Sequence, residues 1–125
     1  MQALIIDDSR ATRRILGDML MALGFEVTEA ANGAEALEGI DPSRPPAVAL
    51  VDWHMPIMDG LEFILNLRAS NNGHKIPIMM VTTSNELDEV AVALEAGADE
   101  YVMKPFSKEC IEDKLKLMGV LEINA

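Results

Sequence analysis

Cysteine, aromatic residues and long apolar runs are scarce in this chain. Cys110 is the only cysteine among 125 residues, so a disulfide within the chain and a cysteine-built zinc site are both excluded. The first residues carry neither the basic segment nor the apolar stretch of a signal peptide. No apolar run approaches the roughly 20 residues that span a bilayer. These absences predict a soluble protein of the cytoplasm.

Positive charge is also in short supply. Lys and Arg number 10 against 21 Asp and Glu, which gives a formal net charge of −11. Nucleic acids and anionic membranes both need a basic patch, so neither is an expected partner. The acidity fits a basic partner surface or an acidic metal site. The length and the 50% hydrophobic content fit one folded domain over residues 1–125.

Short apolar runs alternate with segments of helical periodicity. The runs predict strands at residues 4–6, 25–30, 47–51, 78–81 and 101–103, the second nearer a sheet edge. Helices are predicted from Asp8 or Ser9 to about residue 23, and then at residues 34–39, 59–70, 85–96 and from Ser107 onward. Ile15 and Leu16 belong to the predicted apolar face of the first helix. The segment Asn71-Asn72-Gly73 is expected to end the third helix.

Five strand–helix units of this kind predict an α/β fold. Buried strands joined by helices favour a parallel sheet covered on both faces, which gives three layers. Right-handed crossovers favour the flavodoxin-like, doubly wound strand order 2-1-3-4-5. Strands 1 and 3 then lie side by side, and Asp7, Asp8 and Asp52 meet in the crevice at their carboxyl ends. Three carboxylates in one crevice predict a hard cation and a phosphoryl group brought to it.

The chain resembles the receiver domain of two-component response regulators, including the single-domain chemotaxis regulators. The resemblance extends from about residue 3 to residue 118 and lies in a set of landmarks that occur in the family's order. No single landmark is decisive, but the whole set at these spacings is specific. The landmarks are Asp7-Asp8, Asp52, Met55-Pro56, Asp59-Gly60, Thr82 and Lys104-Pro105-Phe106.

The resemblance implies a role for each residue of the crevice. Asp52 is the expected phosphoacceptor, and Mg²⁺ the expected cofactor. Asp8, Asp52 and the main-chain carbonyl of His54 are the implied direct ligands, and Asp7 acts mostly through water. Lys104, which in the family typically precedes a cis proline, and Thr82 contact the phosphoryl group.

The resemblance also implies a switch and two positions that tune the phosphoryl lifetime. Thr82 and Tyr101 are the expected switch residues, and they alter the face made by helix 4, strand 5 and helix 5. The lifetime positions are His54 and Ser84, two residues after Asp52 and Thr82 respectively. His54 is expected either to hinder the attacking water by its bulk or to position that water with its imidazole, and the sequence leaves both open.

The expected partners are a sensor histidine kinase or a histidine phosphotransfer protein, and a downstream effector. No output domain follows the last predicted helix in the sequence, so the protein is expected to act by binding partners. It is not expected to be an enzyme beyond catalysing its own phosphorylation and dephosphorylation. Arg10, Thr12 and Arg13 on the first helix are interpreted as a solvated face, and contact with a kinase phosphodonor domain or a phosphatase is the alternative. The face with Tyr101 is the expected surface for a weak or phosphorylation-dependent dimer.

Other interpretations stay open at this point. The chain could be a receiver domain cut from a multidomain regulator or a hybrid kinase, or a receiver-shaped protein that has lost phosphorylation. A phosphatase with an aspartyl-phosphate intermediate is a further alternative. Enzymes of the haloacid dehalogenase type usually carry Asp-x-Asp after the first strand, whereas the candidate nucleophile here follows the third. A nucleotide- or flavin-binding module is disfavoured, because no Gly-x-Gly-x-x-Gly or Walker sequence is present.

Overall fold

Strands and helices alternate along the part of the chain that this computed structural model describes, residues 1–70, 75–83 and 87–122. The predicted break at Asn71-Asn72-Gly73 and the predicted helix start at Asn85 lie outside it. The strands are β1 (Gln2–Ile6), β2 (Glu26–Ala30), β3 (Val48–Val51), β4 (Ile78–Thr82) and β5 (Glu100–Met103). The helices are α1 (Arg10–Ala22), α2 (Gly33–Gly39), α3 (Gly60–Ala69), α4 (Leu87–Ala96) and α5 (Lys108–Leu117).

All neighbouring strands pair in parallel, and the sheet has the order β2-β1-β3-β4-β5. The predicted doubly wound fold is therefore confirmed, with β2 at one edge. Ile6 of β1 lies opposite Val51 of β3, so the residues that follow these two strands emerge at the same level. This register positions the predicted site, because it places Asp7 beside Asp52.

The sheet separates two apolar clusters, one on each face. Alternate residues of each strand point to opposite faces, so Ile5 and Ile6 of β1 belong to different clusters. One cluster packs against α1 and α5, and includes Leu16 and Ile111. The other packs against α2, α3 and α4, with Phe63 fully buried at its centre. Helices on both faces give the three-layer arrangement that the sequence predicts.

Side-chain caps explain where four of the helices begin. The side chains of Ser9, Asn32, Asp59 and Ser107 each accept a hydrogen bond from the backbone N–H three residues later. Such bonds satisfy a donor that has no partner within the helix. Ser9, and not Asp8, is the cap of α1, so Asp8 is available for another role.

The predicted apolar face of α1 is wrong at one position. Ile15 is half exposed, whereas the adjacent Leu16 is buried against the sheet. The buried stripe of α1 is thus narrower than the sequence indicates. Within the described residues, no helix combines the length and the apolar character needed to cross a membrane.

Candidate phosphoryl-acceptor site

Three carboxylates converge at the carboxyl ends of β1 and β3. One oxygen from each of Asp7, Asp8 and Asp52 lies within 4.8 Å of those of the other two. Asp7 and Asp52 are buried, while Asp8 faces solvent. Backbone bonds continue the sheet register into the site, from Asp7 N to Ala30 O at 3.1 Å and from Asp52 N to Ile6 O at 2.9 Å. The prediction that these carboxylates meet in one crevice is confirmed.

The two buried carboxylates are held in the same manner. Asp7 accepts a bond from Ser9 N at 2.8 Å on Oδ1, and Asp52 accepts one from Trp53 N at 2.8 Å on Oδ1. Each Oδ2 faces the Lys104 ammonium, at 2.9 Å for Asp7 and 3.5 Å for Asp52. One oxygen of each carboxylate is thus fixed by the backbone, and the other shares a cation.

Lys104 enters the crevice from the end of β5. Its backbone N–H donates to Thr82 O at 2.9 Å, which ties the residue to the end of β4. The Lys104–Pro105 peptide is cis, as expected for the family. Burial of the ammonium lowers the pKa of Lys104, but the hydrogen bond to Asp7 and the charge of Asp52 outweigh that effect. The pKa of Lys104 is therefore raised, and the side chain is a cation at neutral pH.

Burial shifts the pKa of Asp52 upward, in the opposite direction from its effect on the pKa of Lys104. Removal from water is the largest influence on its carboxyl and raises the pKa above the ordinary value, and the nearby charge of Asp7 raises it further. The Lys104 charge and the Trp53 N–H act in the other direction without cancelling the increase. The negative charge of Asp52 is therefore less stable than in water, which favours the arrival of a cation.

The loop between β3 and α3 runs close against the site. Gly60 N donates to Trp53 O at 2.8 Å, and a Cβ at Gly60 would collide with the backbone carbonyl of Asp52. Glycine is thus required where the start of α3 touches the backbone of Asp52. In the same loop Ile57 has a φ of 68° and is 82% exposed, and Met58 N bonds to Pro56 O at 2.7 Å across it. A β-branched residue is strained in this left-handed conformation.

The two predicted switch residues border one narrow cavity. Thr82 is buried at the end of β4, and Tyr101 on β5 is partly buried. Both line a cavity between the sheet and α4, together with Trp53, Val90 and Ala93. The two side chains therefore border the same place, which is the proximity that their predicted coupling needs.

Of the two predicted lifetime positions, His54 is described and Ser84 lies outside the described residues. The side chain of His54 is 65% exposed, and its Nε2 lies 3.7 Å from Glu89 Oε2 on α4. Its ring also meets that of Trp53 edge to face, with centroids 6.4 Å apart. The imidazole therefore lies beside α4. The assignment of the His54 carbonyl as a metal ligand stays a prediction.

Arg13 also contributes to the site. Its Nη1 donates to the Asp7 main-chain carbonyl at 2.7 Å, and its Nε donates to Glu29 at 3.0 Å. The side chain is only 16% exposed, so the interpretation as a solvated helix face is wrong. The sequence did offer one signal. Ser9 is a good helix cap, and Arg13 follows it by four residues, about one helical turn, which directs position 13 back toward the end of β1.

Comparison with known proteins identifies the family of this chain. A family model described as "Response regulator receiver domain" matches residues 3–116. The chain is 41% identical to the chemotaxis protein CheY1 of Helicobacter pylori, over 94% of this chain and 96% of that protein. A CheY homologue of Campylobacter jejuni is 39% identical, over 93% and 90% of the two chains.

Solved structures give the same result. The structure of Vibrio cholerae CheY4 matches with a TM-score of 0.86 at 31% identity, covering 94% of this chain and 97% of that one. The receiver domain of a sensor histidine kinase from Pseudomonas aeruginosa matches with a TM-score of 0.85 at 27% identity, covering 94% and 97%. That structure contains a magnesium ion coordinated in its active site cleft.

Proposed function

The chain belongs to the response regulator receiver domain family, and on this premise we propose that it carries a transient phosphoryl group on Asp52. One observation carries the proposal. Two buried carboxylates and one exposed carboxylate converge on a single crevice, and an ammonium lies 2.9 Å from Asp7 and 3.5 Å from Asp52. An acidic nucleophile beside a fixed cation is suited to phosphoryl transfer.

In the transfer, an oxygen of Asp52 attacks the phosphorus of the donor. The bond from phosphorus to the donor's imidazole nitrogen breaks, and the nitrogen keeps the electron pair. The product on Asp52 is an acyl phosphate. Lys104 is within reach of the transferred phosphoryl oxygens and offsets their charge, while the Thr82 hydroxyl donates a hydrogen bond to one of them. Asp7 keeps Lys104 in place through the bond of 2.9 Å.

The donor set fits magnesium. Carboxylate oxygens within 4.8 Å of one another are hard ligands at a spacing that one small cation can bridge, and the exposed Asp8 leaves one side open to water. Asp8 and Asp52 would hold the ion directly, together with the His54 carbonyl, and Asp7 would act through water. The bound ion would neutralise the carboxylates and stabilise charge on the phosphoryl oxygens.

Phosphorylation changes the surface formed by α4, β5 and α5. When Thr82 turns toward the phosphoryl group, Tyr101 turns toward the space that Thr82 vacates, and the outer surface of these elements changes. That surface exposes Leu94 and Met103, at 44% and 45%, to a partner. The donor is a histidine kinase or histidine phosphotransfer protein, and the surface binds an effector. The protein acts in the cytoplasm and turns over no separate substrate.

The decisive experiment compares the native chain with Asp52→Asn. Both are incubated with acetyl phosphate and Mg²⁺, and phosphoryl incorporation is measured by the increase in intact mass. The native chain gains one phosphoryl group, and Asp52→Asn gains none because an amide cannot form the acyl phosphate. Asp113→Asn, which makes the same change at an exposed position of α5, serves as the control and retains full incorporation. Incorporation that persists in Asp52→Asn would move the site elsewhere.

Trp53 provides a second test in the same samples. Its backbone N–H contacts Asp52, and its side chain borders the cavity beside Thr82. We expect both Mg²⁺ and phosphorylation to change its fluorescence, since each alters the charge next to the ring. Emission that stays constant while mass spectrometry demonstrates phosphorylation would contradict the placement of the metal beside Trp53.

A further inference from the structure

One polar contact crosses from the loop after β3 to the first turn of α4. The His54 imidazole lies 3.7 Å from the carboxylate of Glu89, a distance within ion-pair range but longer than a direct hydrogen bond. Glu89 is the more enclosed partner, with a side chain 25% exposed against 65% for His54. The flexible surface side chain thus rests against the more fixed one.

The two ends of this contact belong to different parts of the proposed mechanism. His54 follows Asp52 by two residues, in the loop that runs close against the site. Glu89 borders the same cavity as Thr82 and Tyr101. The contact therefore joins the loop that follows Asp52 to the helix that transmits the signal under the proposed function.

We propose that Glu89 is a positioning residue that holds the His54 imidazole against α4 and so prolongs the life of the phosphoryl group on Asp52. The inference rests on the proposed function. A ring held by Glu89 is restrained from placing a water molecule on the acyl phosphate. Release of the ring from α4 therefore speeds hydrolysis.

A regulatory consequence follows from the position of Glu89. Any partner that displaces the first turn of α4 also withdraws the carboxylate from His54. Hydrolysis of the acyl phosphate then depends on whether the output face is occupied. The contact is of the partly exposed kind, so its removal is expected to change a rate by about twofold to fivefold.

The test measures single-turnover decay of the acyl phosphate in Mg²⁺, after acetyl phosphate has been removed. Glu89→Gln keeps the size of the side chain and removes its charge, and we expect decay to be about twofold to fivefold faster. Asp88→Asn is the matched control. Asp88 is the exposed neighbouring acid in the same first turn of α4, so it shares the interaction with the helix dipole. Its decay rate is expected to stay within about 1.5-fold of the native rate.

A double-mutant cycle separates positioning from a general effect of charge. In a His54→Ala background, Glu89→Gln is expected to leave the decay rate unchanged within about 1.5-fold. The same acceleration with and without His54 would overturn the proposal, and so would an equal acceleration by Asp88→Asn. Magnesium affinity, followed through Trp53 fluorescence, should be the same in Glu89→Gln and the native chain. A parallel loss of magnesium affinity would assign the effect to the metal and also overturn the proposal.

The proposed function and the role of Glu89 can be refuted separately. A native chain that takes up no phosphoryl group refutes the proposed function, and the role of Glu89 with it. A native chain that is phosphorylated and decays at the same rate as Glu89→Gln refutes only the role of Glu89.

Discussion

Charged side chains are balanced differently at the two ends of the sheet. At the amino ends of β4 and β5, Arg68 donates to Gly97 O at 2.7 and 3.0 Å and to Ile76 O at 2.7 Å. It also meets Asp99 at 3.1 Å, and Asp99 in turn accepts a bond from Ile78 N at 2.8 Å. One cation therefore joins the end of α3 to the segments that lead into two strands.

At the carboxyl ends of the strands, negative charges outnumber positive ones. Asp7, Asp8 and Asp52 gather around one crevice, and in the described part of the chain the Lys104 ammonium is the cation in contact with the two buried carboxylates. The amino end is satisfied by the protein itself, whereas the carboxyl end keeps an excess of negative charge. The difference indicates that one region stabilises the fold and the other gives up stability for binding.

The largest effect on stability is expected when the cation at the amino end is removed. Arg68→Gln leaves the carbonyls of Gly97 and Ile76 and the carboxylate of Asp99 without their charged donor. We expect the free energy of unfolding to fall by about 2 to 3 kcal/mol, measured by urea denaturation. Arg44→Gln, at an exposed arginine, should change it by less than about 0.5 kcal/mol. A similar loss in both variants would remove the basis of the comparison.

A smaller decrease in the free energy of unfolding is expected when the cation at the carboxyl end, Lys104, is removed. Lys104→Met leaves Asp7 and Asp52 facing each other, and should cost about 1 to 2 kcal/mol at pH 7 without metal. The raised pKa of Lys104 means that its contribution is complete below the ordinary value of 10.5 and is lost as the pH rises through the higher folded-state value. Addition of Mg²⁺ should restore stability to Lys104→Met and not to Arg68→Gln, since a cation substitutes for charge only in the crevice.

Removal of an anion from the crevice should instead stabilise the protein. Because burial raises the pKa of Asp52, its folded state loses stability as the pH rises through the range just above 3.8. At pH 7 without metal, Asp52→Asn should gain about 1 kcal/mol, which appears as an increase of several degrees in Tm. The gain should shrink as the pH falls through the raised pKa and the native carboxyl takes up a proton. Asp99→Asn should lose stability at pH 7, so a gain in both variants would contradict the contrast.

The smallest expected effect concerns backbone strain. The left-handed residue beside Arg68 is Gly97, with a φ of 124°, whereas beside Asp52 it is Ile57, with a φ of 68°. Asparagine tolerates this conformation better than isoleucine, so Ile57→Asn should stabilise the protein by about 0.5 to 1 kcal/mol. Ile57→Val retains the branched Cβ and should leave the Tm unchanged. Equal Tm values for all three chains would show that the loop at Ile57 is free of strain.

Much of the site could be predicted because it depends on the backbone. The runs before Asp7 and Asp52 are short and apolar, so they predict strands, and parallel pairing brings their carboxyl ends together. Lys104 and Thr82 lie at the ends of two further strands and reach the same edge. Strand order and polarity were enough to bring the carboxylates together, whereas the roles of Lys104 and Thr82 came from the resemblance to receiver domains.

The missed features depend on side chains that meet across long stretches of chain. Arg68 contacts a carbonyl 29 residues away, and Glu89 on α4 meets a histidine from the loop after β3. The helical position of Arg13 directs it toward the end of β1 but does not show that its side chain binds the carbonyl of Asp7. A helical pattern shows which side of a helix a residue occupies, but the reach and rotamer of a long side chain are decided by packing. The left-handed Ile57 was missed because its residue type disfavours that conformation.

The parallel register of β1 and β3 makes assembly of the crevice depend on correct folding. Asp7 and Asp52 share one level because Ile6 lies opposite Val51, and Asp52 N bonds directly to Ile6 O. A chain in which these strands are unpaired, or slipped by one residue, has no assembled acceptor. Only chains in which β1 and β3 are correctly paired therefore assemble the crevice, and under the proposed function only these chains can take up a phosphoryl group.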